Sequence, residues 1–307
     1  MGGVLIGFAI IAFIILIGYL VGRLNLLGPN AGFVLNRIVF FVLSPCLLFT
    51  VLESAKVSEL FSSLMVVSLI AAVTSFAIYF VVAKFVWRRS MPEFVVGAMA
   101  SGYVNANNIG IPVALYVLGS AAYSAPVVLL QLVIFTPIIL TALDISTTGR
   151  ASVGRIVLKL VSNPLIIGSV LGVILAVTRV HLPASVLQPF VLLGGAAVPV
   201  VLLAFGMSLH GQKILQAGSG RRDVLLASTI KLVVMPVVAW LFGRFVFDLS
   251  GLHLFVVVAL AALPSAQNVF NYAQRYQRGE IIARDAVLIT TIGSIPVLVV
   301  VAALLGH

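Results

Sequence analysis

Residues 101–119 read SGYVNANNIGIPVALYVLG, a polar interruption in an apolar chain. Its first twelve residues hold Asn105, Asn107, Asn108, two helix-weakening glycines and Pro112. Proline removes a backbone donor and clashes with the preceding helical turn. Polar backbone at membrane depth persists only where protein or water satisfies it. If the chain spans a membrane, this stretch therefore predicts a broken helix beside a polar cavity.

The composition is that of a membrane protein. Of 307 residues, 62% are hydrophobic and 8% are charged, too few charges to cover a soluble domain of this size. The single Cys46 excludes an intramolecular disulfide. No basic segment precedes the first apolar run, so we interpret that run as a membrane span rather than a cleaved signal peptide.

Ten apolar segments are long enough to cross a bilayer, which takes about 20 residues of helix. We number these predicted spans 1 to 10 in chain order: 3–22, 34–52, 61–86, 94–117, 124–143, 161–179, 186–209, 224–247, 254–274 and 286–306. The chain is thus predicted to be an all-α, multi-pass membrane protein.

Basic residues alternate between the two sides of this arrangement. Thirteen lie in the loops after odd-numbered spans: Arg23, Lys84, Arg88, Arg89, Arg150, Arg155, Lys159, Lys213, Arg221, Arg222, Arg275, Arg278 and Arg284. Only Lys56 and Arg179 lie in the loops after even-numbered spans. Cytoplasmic loops collect Lys and Arg, which predicts cytoplasmic odd loops and both termini outside a cytoplasmic membrane. The net charge of +10 then reflects topology, and no nucleic-acid partner is expected.

The two halves of the chain match at a shift of 161 residues. The matched pairs are Phe94 with Phe255, Val95 with Val256, Val96 with Val257, Ala98 with Ala259, Ala100 with Ala261 and Asn107 with Asn268. Intramembrane prolines also recur, in spans 2 and 7 and in spans 5 and 10. Residues 1–148 and 149–307 would then be two repeats of five spans. Because five is odd, the second repeat inserts upside down, as in many secondary transporters.

Spans 4 and 9 each carry a polar stripe beside a proline. Ser101, Asn105, Asn108 and Pro112 share one helical face by spacing, and so do Pro264, Asn268, Asn271 and Arg275. With Asn107 and Gln267, they predict two broken helices meeting at a polar cavity. Amide donors without a fixed negative charge suit a carboxylate. The alternative is that the asparagines only join helices, which is common in membranes.

Two further polar residues lie inside spans. Lys231 in span 8 would attract an anion or replace a cation, or else it snorkels toward the cytoplasm. Gln131 in span 5 extends the polar cavity or makes an interhelical hydrogen bond. We interpret Arg37 as a helix-end anchor. No Asp or Glu lies at membrane depth, which disfavours proton coupling through a carboxylate and leaves sodium coupling open.

The segments NANNIGIPVALYVLG, LPSAQNVFNYAQRY, SPCLLFTVL and VPVVLLAFGMSL resemble the auxin efflux carrier family along the whole chain. The resemblance implies ten helices in two inverted repeats, with a scaffold domain (spans 1, 2, 6 and 7) and a transport domain (spans 3–5 and 8–10). It implies a substrate site where broken spans 4 and 9 cross, at Asn107, Asn108, Pro112, Pro264 and Asn268. It also implies that the protein can be a homodimer. One mismatch is that Pro112 aligns with Ala273 at the 161 shift, not with Pro264.

We therefore expect a secondary transporter of a small organic anion, such as malonate, malate or an auxin-like acid, working by alternating access. The sequence has no HExxH or GxSxG motif, so we expect no enzyme activity, and we expect no cofactor and no metal site. The alternatives are a channel-like facilitator and a membrane scaffold without transport activity.

Overall fold

A computed structural model describes residues 2–54, 63–148, 154, 157–158, 161–180, 182–209 and 220–306. Within these ranges the chain is helical and has no strand, apart from one antiparallel bridge between Val104 and Ser265. The repeat boundary after residue 148 and the predicted loop residues Lys56, Arg150, Arg155, Lys159 and Lys213 lie outside the described residues.

Fifteen α-helices of six residues or more are named here in chain order. They are α1 (Gly2–Arg23), α2 (Ala31–Ile38), α3 (Ser44–Glu53), α4 (Ser63–Val81), α5 (Met91–Gly102), α6 (Ile111–Tyr116), α7 (Ala125–Leu130), α8 (Thr136–Thr148), α9 (Pro164–Thr178), α10 (Ala184–Ser208), α11 (Arg221–Thr229), α12 (Met235–Leu241), α13 (Gly251–Ala261), α14 (Gln267–Tyr276) and α15 (Glu280–Leu305).

Seven continuous helical segments are long and apolar enough to cross a membrane. They coincide with predicted spans 1, 2, 3, 5, 7, 8 and 10. The helices of spans 6 and 9, α9 and α13, are apolar but shorter, and span 4 is divided between α5 and α6. The protein is therefore an all-helical, multi-pass membrane protein in which two predicted spans are interrupted.

Several long helices contain a π-helical turn just before a proline. The four cases are Val39–Leu43 before Pro45, Ala106–Gly110 before Pro112, Gln131–Phe135 before Pro137, and Ile230–Val234 before Pro236. In each case the carbonyl four residues before the proline lies in the π turn and has no proline N–H to bind. The ring also pushes the preceding turn open, which favours the wider helix.

The helices of spans 1, 2, 6 and 7 pack closely through glycine. Helix α1 lies along α10, and α3 lies along α9 and α10. A Cβ atom on Gly206 would lie 2.1 Å from the carbonyl oxygen of Ile15, and one on Gly168 would lie 2.5 Å from that of Pro45. Small residues allow such backbone approach in membranes, where dispersion contacts rather than a hydrophobic force join helices.

A second group contains the helices of spans 3, 4, 8, 9 and 10. Helix α4 packs on α5 and α12, and α15 packs on α11, α13 and α14. At one end, Arg89 Nη2 lies 2.6 Å from Asp223 Oδ2, and Tyr79 OH donates to Asp223 Oδ1 at 3.1 Å. The hydrogen bond to Asp223 raises the pKa of Arg89. This cluster ties the loop before α5 to the first turn of α11.

Candidate functional site

Span 4 is broken where the sequence places its first asparagines. Helix α5 ends at Gly102, and Tyr103 follows with an extended backbone, φ −88° and ψ 99°. The helix resumes only at the π turn Ala106–Gly110, whose N-terminal end is capped by the Asn105 side chain accepting from the Asn108 N–H. The break exposes backbone groups that need partners from another part of the chain.

Span 9 supplies those partners. Helix α13 ends at Ala261 and α14 begins at Gln267, so this span is broken at the same level. The N–H of Asn105 donates to the carbonyl of Pro264 at 2.8 Å, and the N–H of Ala266 donates to the carbonyl of Tyr103 at 2.9 Å. The two breaks therefore satisfy each other as a short antiparallel pair.

Side chains complete this crossover. Ser265 Oγ donates to the carbonyl of Ala100 at 2.5 Å, and Gln131 Nε2 donates to the carbonyl of Val104 at 2.8 Å. Gln131 begins a π turn in the neighbouring span, and this turn brings its amide to the break. Extended backbone is thus held by protein partners at a depth where lipid could not satisfy it.

A cavity of about 500 Å³ adjoins the crossover. Its wall combines residues from spans 2, 6 and 7 with residues from spans 4, 5, 9 and 10. Seven of the ten predicted site residues line it: Asn105, Asn107, Asn108, Gln131, Gln267, Asn268 and Asn271. A cavity of this size accommodates a small organic molecule.

Three predicted site residues do not line the cavity. Pro112 is buried in the first turn of α6, and Pro264 contributes its carbonyl to the crossover. Lys231 is fully buried, and its Nζ donates to the carbonyl of Ala261 at 2.6 Å. The alternative that Lys231 snorkels toward the cytoplasm is therefore wrong, because its ammonium is buried and bound to the carbonyl at the end of α13.

The expectation that Ser101, Asn105, Asn108 and Pro112 share one continuous helical face is also wrong, because the helix stops at Gly102. Ser101 is buried and donates to the carbonyls of Ser75 and Ala98, away from the cavity. The same correction applies to the stripe from Pro264 to Arg275, which the break before α14 divides.

Sequence reasoning missed several cavity residues. Arg37 is the single charged residue in the described wall of the cavity, and its guanidinium lies 5.6 Å from the ring centre of Phe33 and 5.1 Å from that of Phe41. Thr291, on α15, also lines the cavity. No local pattern in the sequence points to Arg37 or Thr291 as cavity residues. Near them, Asn107 Nδ2 donates to Ser44 Oγ of α3 at 3.5 Å.

Two polar atoms in the described cavity wall are buried and have no hydrogen-bond partner in the protein, Asn107 Oδ1 and Thr291 Oγ1. The amide nitrogen of Asn107 instead donates to Asn108 Oδ1 at 2.8 Å. Buried polar atoms are nearly always paired, so unpaired ones on residues that line a cavity indicate a place for a ligand or water. Thr291 Oγ1 can donate to an oxyanion, as can the amide NH2 groups and the guanidinium of the cavity wall, whereas Asn107 Oδ1 can only accept a hydrogen bond.

Comparison with known proteins points to the membrane transporters. A family model described as "Membrane transport protein" matches residues 4–152 and 140–302. A protein of Rhizobium meliloti named "Putative malonate transporter" is 28% identical over 92% of this chain and 89% of its own length. An "Uncharacterized transporter" of Methanothermobacter thermautotrophicus is 26% identical over 82% of each chain. A rice protein named "Probable auxin efflux carrier component 5b" is 29% identical over 48% of this chain and 41% of its own length.

The family model accounts for nearly all of the chain, and the relatives at these identities are named as transporters or auxin carriers. The chain belongs to the membrane transport protein family that includes the auxin efflux carriers.

Proposed function

We propose that the protein is a secondary transporter that carries a small organic anion across the cytoplasmic membrane by alternating access. The observation that carries this proposal is the cavity beside the crossover. Its described wall holds nine amide side chains and one guanidinium, and no carboxylate. A site with donors and a positive charge favours an oxyanion over a cation.

In this proposal the substrate carboxylate binds between spans 4 and 10. Thr291 Oγ1 has a hydroxyl proton to donate, and the half-buried Asn108 presents its amide to the same cavity. Asn268, which matches Asn107 at the 161 shift, lines the cavity from span 9. Arg37 lines the same cavity from the segment that begins at Ala31.

The position of the cavity supports a two-domain mechanism. One wall belongs to spans 2, 6 and 7 of the proposed scaffold, and the other to spans 4, 5, 9 and 10 of the proposed transport domain. A substrate held between two such bodies changes sides when one body moves against the other. We propose on this basis the ten-span arrangement of two inverted repeats, 1–148 and 149–307, with both termini outside.

The conformation in the structure would face the cytoplasm. Phe33, Asn163 and Ser208 line the cavity and lie at helix ends next to loops that the charge distribution places on the cytoplasmic side. A homodimer, implied by the family resemblance, would form through surfaces other than this cavity.

Flux into proteoliposomes tests the proposal, with radiolabelled malonate as the probe because of the named relative. We expect saturable uptake that Asn108→Ala lowers by about tenfold, the effect of losing one hydrogen bond to a charged group. Asn30→Ala is the matched control, since the Asn30 side chain makes no capping bond and does not line the cavity. Unsaturable flux would indicate a channel, and no flux of any carboxylate would indicate a scaffold.

A further inference from the structure

The end of helix α13 has a complete set of partners, one of which is a cation. A helix leaves its last four carbonyls without partners inside the helix. Here the carbonyls of Val258 and Ala259 accept from the N–H of Ala262, and that of Leu260 accepts from the N–H of Leu263. The remaining carbonyl, that of Ala261, accepts from Lys231 Nζ at 2.6 Å.

Lys231 reaches this carbonyl from the π turn Ile230–Val234 of span 8. Its side chain is fully buried, and no carboxylate in the described part of the chain pairs with it. The nearest acid on its own helical segment, Asp223, lies eight residues away, about 12 Å along the axis, and pairs with Arg89. The partner of the ammonium is therefore the carbonyl end of the broken helix.

The matching carbonyl in the first half has a neutral partner. Ala100 corresponds to Ala261 at the 161 shift, and its carbonyl accepts from the hydroxyl of Ser265. Position 70, which corresponds to Lys231, is an isoleucine. The two breaks are thus capped differently, and the cation is not needed merely to satisfy a carbonyl at such a break.

A cation at this place has a known electrostatic reason. The C-terminal end of a helix carries about half a negative charge. In transporters with broken helices, such ends and the unwound carbonyls beside them coordinate coupling cations. An ammonium provides one positive charge and three donors at the same position.

We propose that Lys231 is a built-in cation at the break in span 9, occupying the place where an ion-coupled carrier binds a metal cation, so that this protein binds and moves its anion without sodium. Lys231 acts here as a positioning residue: it fixes the end of α13 beside Pro264 and Ser265, whose backbone holds the crossover. The part of this inference that concerns flux rests on the proposed function, whereas the part that concerns cation binding does not.

The first test compares the purified wild-type protein in sodium, potassium and choline salts at equal ionic strength. We expect the same melting temperature in all three without substrate, and malonate uptake that differs by less than about twofold. A melting temperature raised specifically by sodium would overturn the proposal, because bound ligands stabilise the folded state. If the wild type takes up no carboxylate at all, the proposed function fails, while the melting measurement still decides whether sodium binds.

The second test replaces the charge chemically. Lys231→Ala removes three methylenes and the ammonium, a space that propylammonium matches and that 1-propanol matches without charge. We expect propylammonium, but not 1-propanol, to raise the melting temperature of this variant. The proposal would be overturned if both compounds raised the melting temperature equally, or if neither compound raised it.

Lys231→Met removes the charge and keeps the side chain to within one heavy atom of its length, and it is the variant to use if Lys231→Ala does not fold. We expect its uptake in sodium-free medium to fall by about tenfold, or 1.4 kcal/mol. Lys84→Ala is the control, because the Lys84 ammonium lies over the rings of the half-buried Phe80 and the exposed Phe85 rather than at a helix break. Uptake by Lys231→Met at the wild-type rate would overturn the proposal.

Discussion

Replacing Thr291 by valine separates a binding role from a structural one. Thr291 is 5% exposed, lines the cavity and has a hydroxyl oxygen without a protein partner. Valine has nearly the same shape and lacks the hydroxyl. The neighbouring Thr290 differs, because its hydroxyl donates to the carbonyl of Ala286 and accepts from the N–H of Ser265.

The expected loss of affinity in Thr291→Val follows from the strength of the hydrogen bond between the Thr291 hydroxyl and a bound carboxylate. A hydrogen bond to a charged group is worth about 1.5–3 kcal/mol, and we take the lower value. Affinity for a carboxylate should then fall by about tenfold. Stability should not fall, because an unpaired buried hydroxyl costs about 1–3 kcal/mol and valine removes that cost.

The assay is calorimetric titration of detergent-solubilised protein with malonate, together with a melting curve. Ser169→Ala is the matched control, since Ser169 also has a buried hydroxyl without a partner but lies on α9 outside the cavity. We expect Ser169→Ala to keep the affinity within about twofold. The reasoning is refuted if Thr291→Val binds as tightly as the wild type, or if its melting temperature falls with its affinity.

Two further predictions concern charge and packing. Arg37→Gln should raise the KM for malonate several-fold at low salt, and the difference from the wild type should shrink at high salt, where screening acts over about 3 Å. Arg244→Gln, outside the cavity, is the control and should not change the KM. An equal effect of the two substitutions would contradict the role of Arg37. Gly206→Ala should lower stability by about 1–3 kcal/mol in denaturant titration, because its Cβ would lie 2.1 Å from the carbonyl oxygen of Ile15. Gly195→Ala on the same helix meets no atom within 4 Å and should be nearly neutral; similar losses in both would show that α10 does not pack closely on α1.

The sequence predicts the broken helices well because their signal is local. Asparagine, glycine and proline within a few residues disfavour a lipid-facing helix wherever the chain places them. Asn107, Asn108 and Asn268 were found in this way, and the structure brings all three to one cavity. Their part in substrate binding stays a prediction.

The features of the site that the sequence did not predict depend on tertiary structure. The helical spacing placed Ser101 with Asn105, but α5 ends between them at Gly102. Ser101 therefore faces α4, and the extended segment at Ser265 in span 9 pairs with the break. Arg37 and Thr291 carry no local signal, since each reaches the cavity because a distant helix packs against the crossover.

The full burial of Lys231 was likewise not predicted from the sequence. Its short distance along the chain from Asp223, which the charge distribution predicts to be cytoplasmic, allowed snorkelling, whereas the carbonyl that binds it belongs to another span. Four of the six π turns in the described residues end two residues before a proline, a pattern that can be read from the sequence, and these four hold Phe41, Asn108, Gln131 and Lys231. Three of these four residues line the cavity.

The central claim is that the cavity beside the crossed breaks recognises a negative charge. Calorimetric titration of the purified protein with malonate, and separately with its uncharged diamide, measures this directly. The account predicts saturable binding of malonate at one site per chain and no binding of the diamide. Equal affinity for the two compounds, or failure of every small carboxylate to bind, would contradict it.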